Sequence, residues 1–324
     1  MGFNGHPVAG EDYPRTWQEF VAWFPDEVAC RRYLERLRWP DGFRCPGCGQ
    51  ARGWRSGRDR WTCSTCQRQT SVTAGTVFAD TRSPLRTWFA SAWYVTGQKQ
   101  GVSALGLQRV IGLGSYETAW SWLHKLRRAM VRPGRDQLFG EVEIDETYVG
   151  GPEPWAFGRR TASKSIVAIA VERRNRTRLG RVRMARVPNL SIPTMTDFVT
   201  AAVERGSAVR TDGLSSYRGL AAAGYAHQAI TLTAGDEPAH VAMPAVHRVT
   251  SLLQRWLLGT HQGAVQAKHL DYYLDEFTFR FNRRGARHRG LVFYRLLQQA
   301  VNTEPVTLDQ LIGGRHHNIL GSLE

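Results

Sequence analysis

The sequence predicts a chain in two parts: a helical N-terminal half with a small cysteine-paired ribbon, and an α/β C-terminal half built on a mixed sheet. Three observations carry this. Cys45-Pro-Gly-Cys48 and Cys63-Ser-Thr-Cys66 face each other across fourteen intervening residues. Apolar residues recur at helical spacing before Pro133-Gly134, and as alternating or short continuous runs after it. The second half then orders its elements as three strands, helix, strand, short helix, strand and two helices. The 324 residues leave room for two or three domains, and 42% hydrophobic content supplies their cores.

Charge narrows the partners. Lys and Arg number 43 against 28 Asp and Glu, a net +15, with a pI near 10.2. A chain this basic most often meets a polyanion, usually nucleic acid, because each neutralised phosphate releases counterions. A merely basic or ribosome-associated surface is the alternative. The longest apolar runs, such as Ile166 to Val171, fall far short of the ~18–20 residues of a membrane span. The N-terminus has neither a basic flank nor an apolar segment. Membrane and secreted classes are therefore set aside, and a reducing, cytoplasmic, nucleoid-associated setting is expected.

Residues 1–40 read as N-terminal helices. Trp17, Phe20, Val21 and Phe24 face a core, and Cys30, Tyr33, Leu34 and Leu37 form a second helical stripe. Cys30 is therefore a buried core cysteine. Residues 41–70 read as a ribbon. Gly47 and Gly49 suit tight turns that aim backbone N–H groups at sulfur, and two short strands, Gly53-Trp54-Arg55 and Arg60-Trp61-Thr62, flank Ser56-Gly57. Paired knuckles at this distance let Cys45, Cys48, Cys63 and Cys66 surround one tetrahedral, structural zinc. A redox dithiol pair or disulfides are the other readings, and a reducing setting disfavours disulfides.

Residues 83–132 read as a helix-turn-helix-like DNA-binding segment. Ser103 caps a short helix, Gly112-Leu-Gly114 turns the chain, and Ser115 caps a second helix with Ala119, Trp122, Leu123 and Leu126 on its apolar face. In that reading Tyr116, Glu117 and Thr118 lie toward base edges, and Arg127 and Arg128 toward phosphates. An ordinary helical hairpin fits the same residues.

The catalytic candidates lie in 137–300, followed by a C-terminal tail, 301–324. Glu141–Val149 alternates as a strand, Ser163–Val171 is an apolar strand, and Arg181–Val187 is a third beyond a basic turn. Ile192–Arg205 is a helix, and Ala208–Asp212 a fourth strand ending on an acid. A weak strand near Ala229–Leu232, a loop at Gly235–Pro244, and helices at His247–Leu258 and Lys268–Arg283 complete the unit. This order is compatible with an RNase-H-like sheet. Asp145 in the first strand and Asp212 at the end of the fourth take the places where that fold carries carboxylates. Divalent metal ions held between such acids activate a water or 3′-hydroxyl and stabilise the leaving oxygen.

The blocks CPGCG…CSTCQRQTSVTAGTVF, SYETAWSWLHKLRRAM, VEIDETYVGG, TDGLSSY and HRVTSLLQRWLLGTHQGAVQAKHLDYYLDEFTFRFNRR carry a resemblance. Over nearly its whole length the chain resembles the bacterial insertion-sequence transposases of the DDE superfamily, in the group with an N-terminal zinc ribbon. The resemblance implies an RNase-H-like fold, Mg²⁺ or Mn²⁺ dependence, and strand cleavage and transfer at the element's terminal inverted repeats. It also implies double-stranded DNA as partner and a homo-oligomer in a synaptic complex. Superfamily members usually place a glutamate on a later helix, with Lys or Arg two turns on; here His247 and Gln254 stand at those places. Relatives in this group replace the glutamate with Asn or His, which makes His247 the third catalytic candidate beside Asp145 and Asp212.

Glu276 is the competing acid, although Arg280 beside it on the helix offers it a plain salt bridge. Glu143 shares the strand face of Asp145 and is placed to support it. Arg255 or Arg248 is expected to stand in for the cation missing at Gln254. The basic run of Arg280, Arg283, Arg284, Arg287, His288 and Arg289 and the Arg173–Arg186 hairpin are expected to touch phosphates, a solvated charged turn being the alternative. The expected activity is a metal-dependent DNA transposase. The rivals are a decayed or repurposed transposase acting as a zinc-ribbon DNA-binding regulator, and a structure-specific nuclease.

Overall fold

The computed structural model describes residues 6–57, 59–132, 134–151, 164–175, 178–230, 239–263 and 265–314. The chain forms two compact units, Met1–Arg132 with Gly285–Leu311, and Pro133–Arg284 with Ile312–Glu324. No helix among the described residues is long and apolar enough to cross a membrane.

The first unit opens with α1 (Trp17–Trp23) and α2 (Glu27–Arg38), whose caps Thr16 and Asp26 accept hydrogen bonds from the backbone N–H of Glu19 and Ala29. A three-stranded antiparallel ribbon follows: β1 (Gly53–Ser56), β2 (Arg60–Cys63) and β3 (Gln69–Thr70). Glu35 of α2 ties down the ribbon, pairing with Arg55 and accepting from Trp61 Nε1 at 3.3 Å. Then come α3 (Leu85–Gly97), α4 (Ala104–Ile111) and α5 (Tyr116–Arg128). Ser103 and Ser115 cap α4 and α5 as the sequence predicts, each accepting a backbone N–H at 3.0 Å. Gly112 ends α4 at φ +75°, a left-handed conformation that costs glycine nothing. Trp88 of α3 stacks on Trp122 of α5, their rings 3.7 Å apart, which fixes the buried side of α5.

The second unit is a five-stranded mixed sheet with helices on both faces. Its strands are β4 (Glu141–Val149), β5 (Ser165–Arg173), β6 (Leu179–Val187), β7 (Ala208–Asp212) and β8 (Ala226–Ile230), in the order β6-β5-β4-β7-β8. The first three form an antiparallel meander, while β7 runs parallel to β4 and β8 parallel to β7. Strand alternation divides the core. Val142, Ile144, Ala168 and Ala170 face α6 (Ile192–Ala202). On the other face, Val167, Ile169 and Val171 meet α8 (Pro244–His261) and α9 (Leu270–Asn282). A single helical turn, α7 (Ala239–Ala242), leads into α8. This is the mixed, RNase-H-like arrangement expected of the sequence.

Several boundaries differ from the sequence reading: β6 begins at Leu179 in place of Arg181, α6 ends at Ala202 in place of Arg205, and α8 begins at Pro244 in place of His247. The last sheet strand is Ala226–Ile230, three residues earlier than its apolar run suggested, because its register is set by parallel pairing to β7. Of the expected loop at Gly235–Pro244, residues 235–238 lie outside the described residues and 239–242 are helical.

Beyond Arg284 the chain rejoins the first unit through α10 (Arg289–Ala300), with α11 (Leu308–Ile312) after it. Phe293 of α10 sits among Phe20, Phe24, Phe89 and Trp93, with ring centroids 5.4–5.9 Å away. Gly290 lets the helix approach so closely that a Cβ there would fall 1.6 Å from the Pro14 carbonyl oxygen. Residues 289–300 thus belong to the N-terminal core, where the sequence reading had run the catalytic domain on to 300.

Candidate active site

The register of β4 and β7 creates the site. Their pairing ends at Ile144 and Thr211, and the next residues on the two strands are Asp145 and Asp212. Side chains there leave the ladder for the opening at the carboxyl ends of parallel strands, where open α/β sheets place ligands. Asp145, Glu146 and Asp212, all half-buried, each bring one carboxylate oxygen within 4.8 Å of the others. Asp145 belongs to the α8 face of the sheet, with Glu143 and Thr147 on the same face.

α8 covers that face. Its first turn has no side-chain cap of its own. Glu143 supplies one from the strand, Oε2 accepting from the backbone N–H of Ala245 at 2.7 Å and of Val246 at 3.0 Å. Its Oε1 lies 3.3 Å from Arg173 Nη1, so the fully buried carboxylate is both paired and hydrogen-bonded. Anchored there, α8 brings His247 Nδ1 to 3.9 Å from Asp145 Oδ2, and Gln254 Nε2 to 3.2 Å from Thr147 Oγ1. Asp145 and Asp212 therefore lie together where the β4–β7 ladder ends, with His247 beside Asp145.

Glu146 joins them from the opposite face, where the fully buried Tyr217 donates its phenol to Glu146 Oε2 at 3.0 Å. Burial, and after it the carboxylates of Glu146, Asp145 and Asp212, push the Tyr217 phenol well above its ordinary pKa. It stays protonated and keeps donating. Sequence reasoning missed both residues, because strand alternation sets Glu146 opposite Asp145. The signal lay in the block TDGLSSY, where Tyr217 follows Asp212 by one short turn.

Glu276 is not part of this group. It is fully buried on α9, the helix packed over the outer strand β6, and it holds Arg280 through bonds of 2.7 and 2.8 Å. Arg280 is occupied by that pairing. Arg283 lies with its guanidinium 4.0 Å over the Phe279 ring, and Arg284 likewise over Phe281. Arg255 is exposed on α8. Arg127 corrects the sequence reading: it is 2% exposed, on the inner face of α5, and is withdrawn from any phosphate, while Arg128 is half-buried.

In the ribbon, Cys45 and Cys66 Sγ are 3.6 Å apart, as are Cys48 and Cys63 Sγ, and all four sulfurs lie within 4.8 Å of one another. Tetrahedral zinc with bonds of ~2.3 Å sets its sulfurs about 3.8 Å apart, so the cluster fits that ion with no position left open. Backbone N–H groups of Cys66 and Thr65 help pull the Cys63 thiol down to about 6, favouring the thiolate that a metal needs. The acid cluster offers a different donor set. Its hard carboxylate oxygens suit Mg²⁺ or Mn²⁺.

Comparison with known proteins agrees with both halves. Residues 137–282 match the ISXO2-like transposase domain, and residues 25–69 match the transposase zinc-ribbon domain. The chain is also 31% identical over 130 residues to an uncharacterized protein in transposable element ISH50 of Halobacterium salinarum. That match spans 39% of this chain and 43% of the relative. With its cysteine ribbon, its mixed sheet and the acids gathered where the β4–β7 ladder ends, the chain belongs to the zinc-ribbon-bearing insertion-sequence transposases of the DDE superfamily.

Proposed function

We propose that this protein binds the terminal inverted repeats of its insertion sequence and catalyses metal-dependent phosphodiester hydrolysis and strand transfer there. The observation that carries the reading is the grouping of Asp145, Glu146 and Asp212 at the mouth of the sheet, with His247 beside Asp145. Asp145 and Asp212 hold the divalent ion, Mg²⁺ or Mn²⁺, and Glu146 adds a third carboxylate. The ion supplies Lewis acidity at the scissile phosphate and a more acidic attacking water or 3′-hydroxyl. His247 completes the site, its imidazole within reach of the Asp145 carboxylate to hold or pass a proton. Glu143 acts one layer back, fixing the start of α8 and with it the height of His247 above the sheet.

The ribbon holds one structural zinc through Cys45, Cys48, Cys63 and Cys66. Recognition of double-stranded DNA falls to the ribbon and to α4 and α5, where Tyr116 and Glu117 are exposed at the start of the second helix. Handling both element ends at once calls for a homo-oligomer, working on the nucleoid.

The test is cleavage and strand transfer on the element's own end sequence with Mg²⁺ and with Mn²⁺. Wild type is compared with Asp145→Asn, Asp212→Asn, His247→Ala and Glu276→Gln. The reading expects loss in the first two, strong impairment in the third and activity in the last. An inactive wild type that still binds its end sequence specifically would instead establish the repurposed DNA-binding regulator. Cleavage indifferent to end sequence would establish the structure-specific nuclease.

A further inference from the structure

The second unit carries a basic cleft that the chemistry above does not use. Arg174 and Arg178 from the β5–β6 connection, Arg248 of α8 and Arg284 just after α9 line a cavity of about 350 Å³, floored by Leu252 and Phe281. These four cations come from three separate segments of the chain. Arg284 is held in place, its guanidinium stacked 4.0 Å over Phe281 and donating to the carbonyls of Gly180 at 3.1 Å, Phe281 at 2.8 Å and Leu179. Among the described residues no carboxylate pairs with any of the four. Burial, and after it the charges of Arg174 and Arg248, lowers the pKa of Arg284. Like charges gathered without an acid are unfavourable by themselves, and an anion in the cleft reverses the sign of that interaction.

Position says which anion. Arg248 follows His247 on α8, so adjacent faces of one helix look toward the acid cluster and toward the cleft. Along the sheet, Arg173 pairs with Glu141 and Ile169 with Asp145, four residues further on. At ~3.3 Å per residue the cleft lies about 13 Å along the strands from Asp145. A duplex held over the acids carries phosphates at ~3.4 Å intervals along its axis on each strand, so its backbone spans that distance. We propose that the cleft of Arg174, Arg178, Arg248 and Arg284 is a phosphate site that grips the DNA backbone to one side of the active site. This rests on the transposase reading. The contact is independent of sequence: it sets the register of the strand over the acids and leaves base recognition elsewhere.

The experiment measures binding of the full chain to a fluorescein-labelled random-sequence duplex across a salt series, beside the cleavage assay. Arg178→Gln with Arg248→Gln is the informative pair, since neither side chain bonds another described residue. Arg205→Gln, an exposed arginine elsewhere on the unit, is the control. Loss of one phosphate contact lowers the slope of log K against log salt by about one and weakens binding roughly tenfold at physiological salt. Arg248→Lys alone keeps the slope. Thermal melting confirms that each variant is folded.

An unchanged slope in a folded double variant would overturn the proposal while leaving the transposase reading intact if wild type still cleaves. A lowered slope in a protein that never cleaves would uphold the cleft and sink that reading. Inorganic phosphate forms a separate arm. If it raises the melting temperature of wild type only, and the DNA slope does not move, the cleft serves free phosphate and the proposal fails.

Discussion

Tyr217 donates its phenol to Glu146 at 3.0 Å, joining the short helical turn after β7 to the acid cluster where β4 parts from β7. The bond orients the Glu146 carboxylate within the acid cluster. Groups that orient metal-binding carboxylates typically change affinity by ~10–100-fold when removed. Tyr217→Phe is therefore expected to weaken Mn²⁺ binding at least tenfold, while melting shifts by no more than ~1–1.5 kcal/mol of stability. Calorimetric Mn²⁺ titration reads the first and thermal unfolding the second. Unchanged Mn²⁺ affinity would remove Glu146 from the ion site.

Glu143 predicts a loss of stability that precedes any loss of chemistry. Its carboxylate is fully buried, accepts two backbone N–H bonds and faces Arg173. Alanine there leaves Arg173 without its buried partner and α8 without a cap, at a cost of about 3–5 kcal/mol. Glu143→Gln keeps one acceptor and should recover part of it. Urea unfolding measures both, and a Glu143→Ala variant as stable as wild type would show that α8 is fixed by its apolar face alone.

Glu276 and Asp145 should separate cleanly. Breaking the buried Glu276–Arg280 pair costs about 3 kcal/mol of stability, with the chemistry retained at temperatures where the variant is folded. Asp145→Asn is expected to do the reverse, abolishing cleavage at nearly wild-type stability. Single-turnover cleavage at 20 °C beside melting curves distinguishes them, and loss of cleavage in folded Glu276→Gln would return α9 to the active site.

Glu172 gives a pH dependence with a definite sign. Burial alone would raise its carboxyl, but the Arg181 side chain and backbone N–H outweigh that and hold it below its ordinary 4.5. A carboxyl depressed in the folded state adds stability above the unfolded value, and that stability is lost as pH falls through the lower folded value. The melting gap between wild type and Glu172→Gln should thus be widest above pH 4.5 and close in stronger acid. A gap constant with pH would mean that the pair contributes by packing alone.

Zinc removal should act on the ribbon first. Among the described residues its hold is small: three short strands, the cluster around Phe43, Cys45 and Cys63, and the tie of Glu35 to Arg55 and Trp61. A strong chelator is expected to unfold residues 41–70 and disturb the emission of Trp54 and Trp61, since small ribbons depend on their ion for folding energy. Trp54→Phe and Trp61→Phe variants assign the signal. Persistent strand protection in hydrogen exchange after chelation would contradict this.

Much of this molecule is legible in its residues because the signals are local. Ser103 and Ser115 cap the helices they precede, the cysteine spacing closes one cluster, and Val142 with Ile144 gives the face of β4. Asp145 and Asp212 are legible because the order of elements gives one a place within the first strand of the sheet and the other the end of the fourth. Glu146 and Tyr217 are not, since alternation assigns them to the far face, and only the divergence of β4 from β7 brings both faces to one opening. Arg127 misled for the same reason in reverse: a basic residue near a helix end reads as exposed, yet it lies on the buried side of α5. The placement of α10 was hidden because its apolar stripe fits either unit, and Phe293 chooses the N-terminal one through contacts remote in sequence.

That last placement orders events on the ribosome. The N-terminal unit is discontinuous, and its aromatic core is incomplete until Phe293 has been made. The sheet unit, contained in a later and nearly unbroken stretch, can close first, reversing the usual N-to-C order of domain folding. Until then Phe20, Phe24, Phe89 and Trp93 remain without their keystone ring. A truncated translation product ending before α10 would therefore carry the intact DNA-facing residues on a body that cannot close its core, and would be a substrate for proteolysis instead of a competing DNA binder.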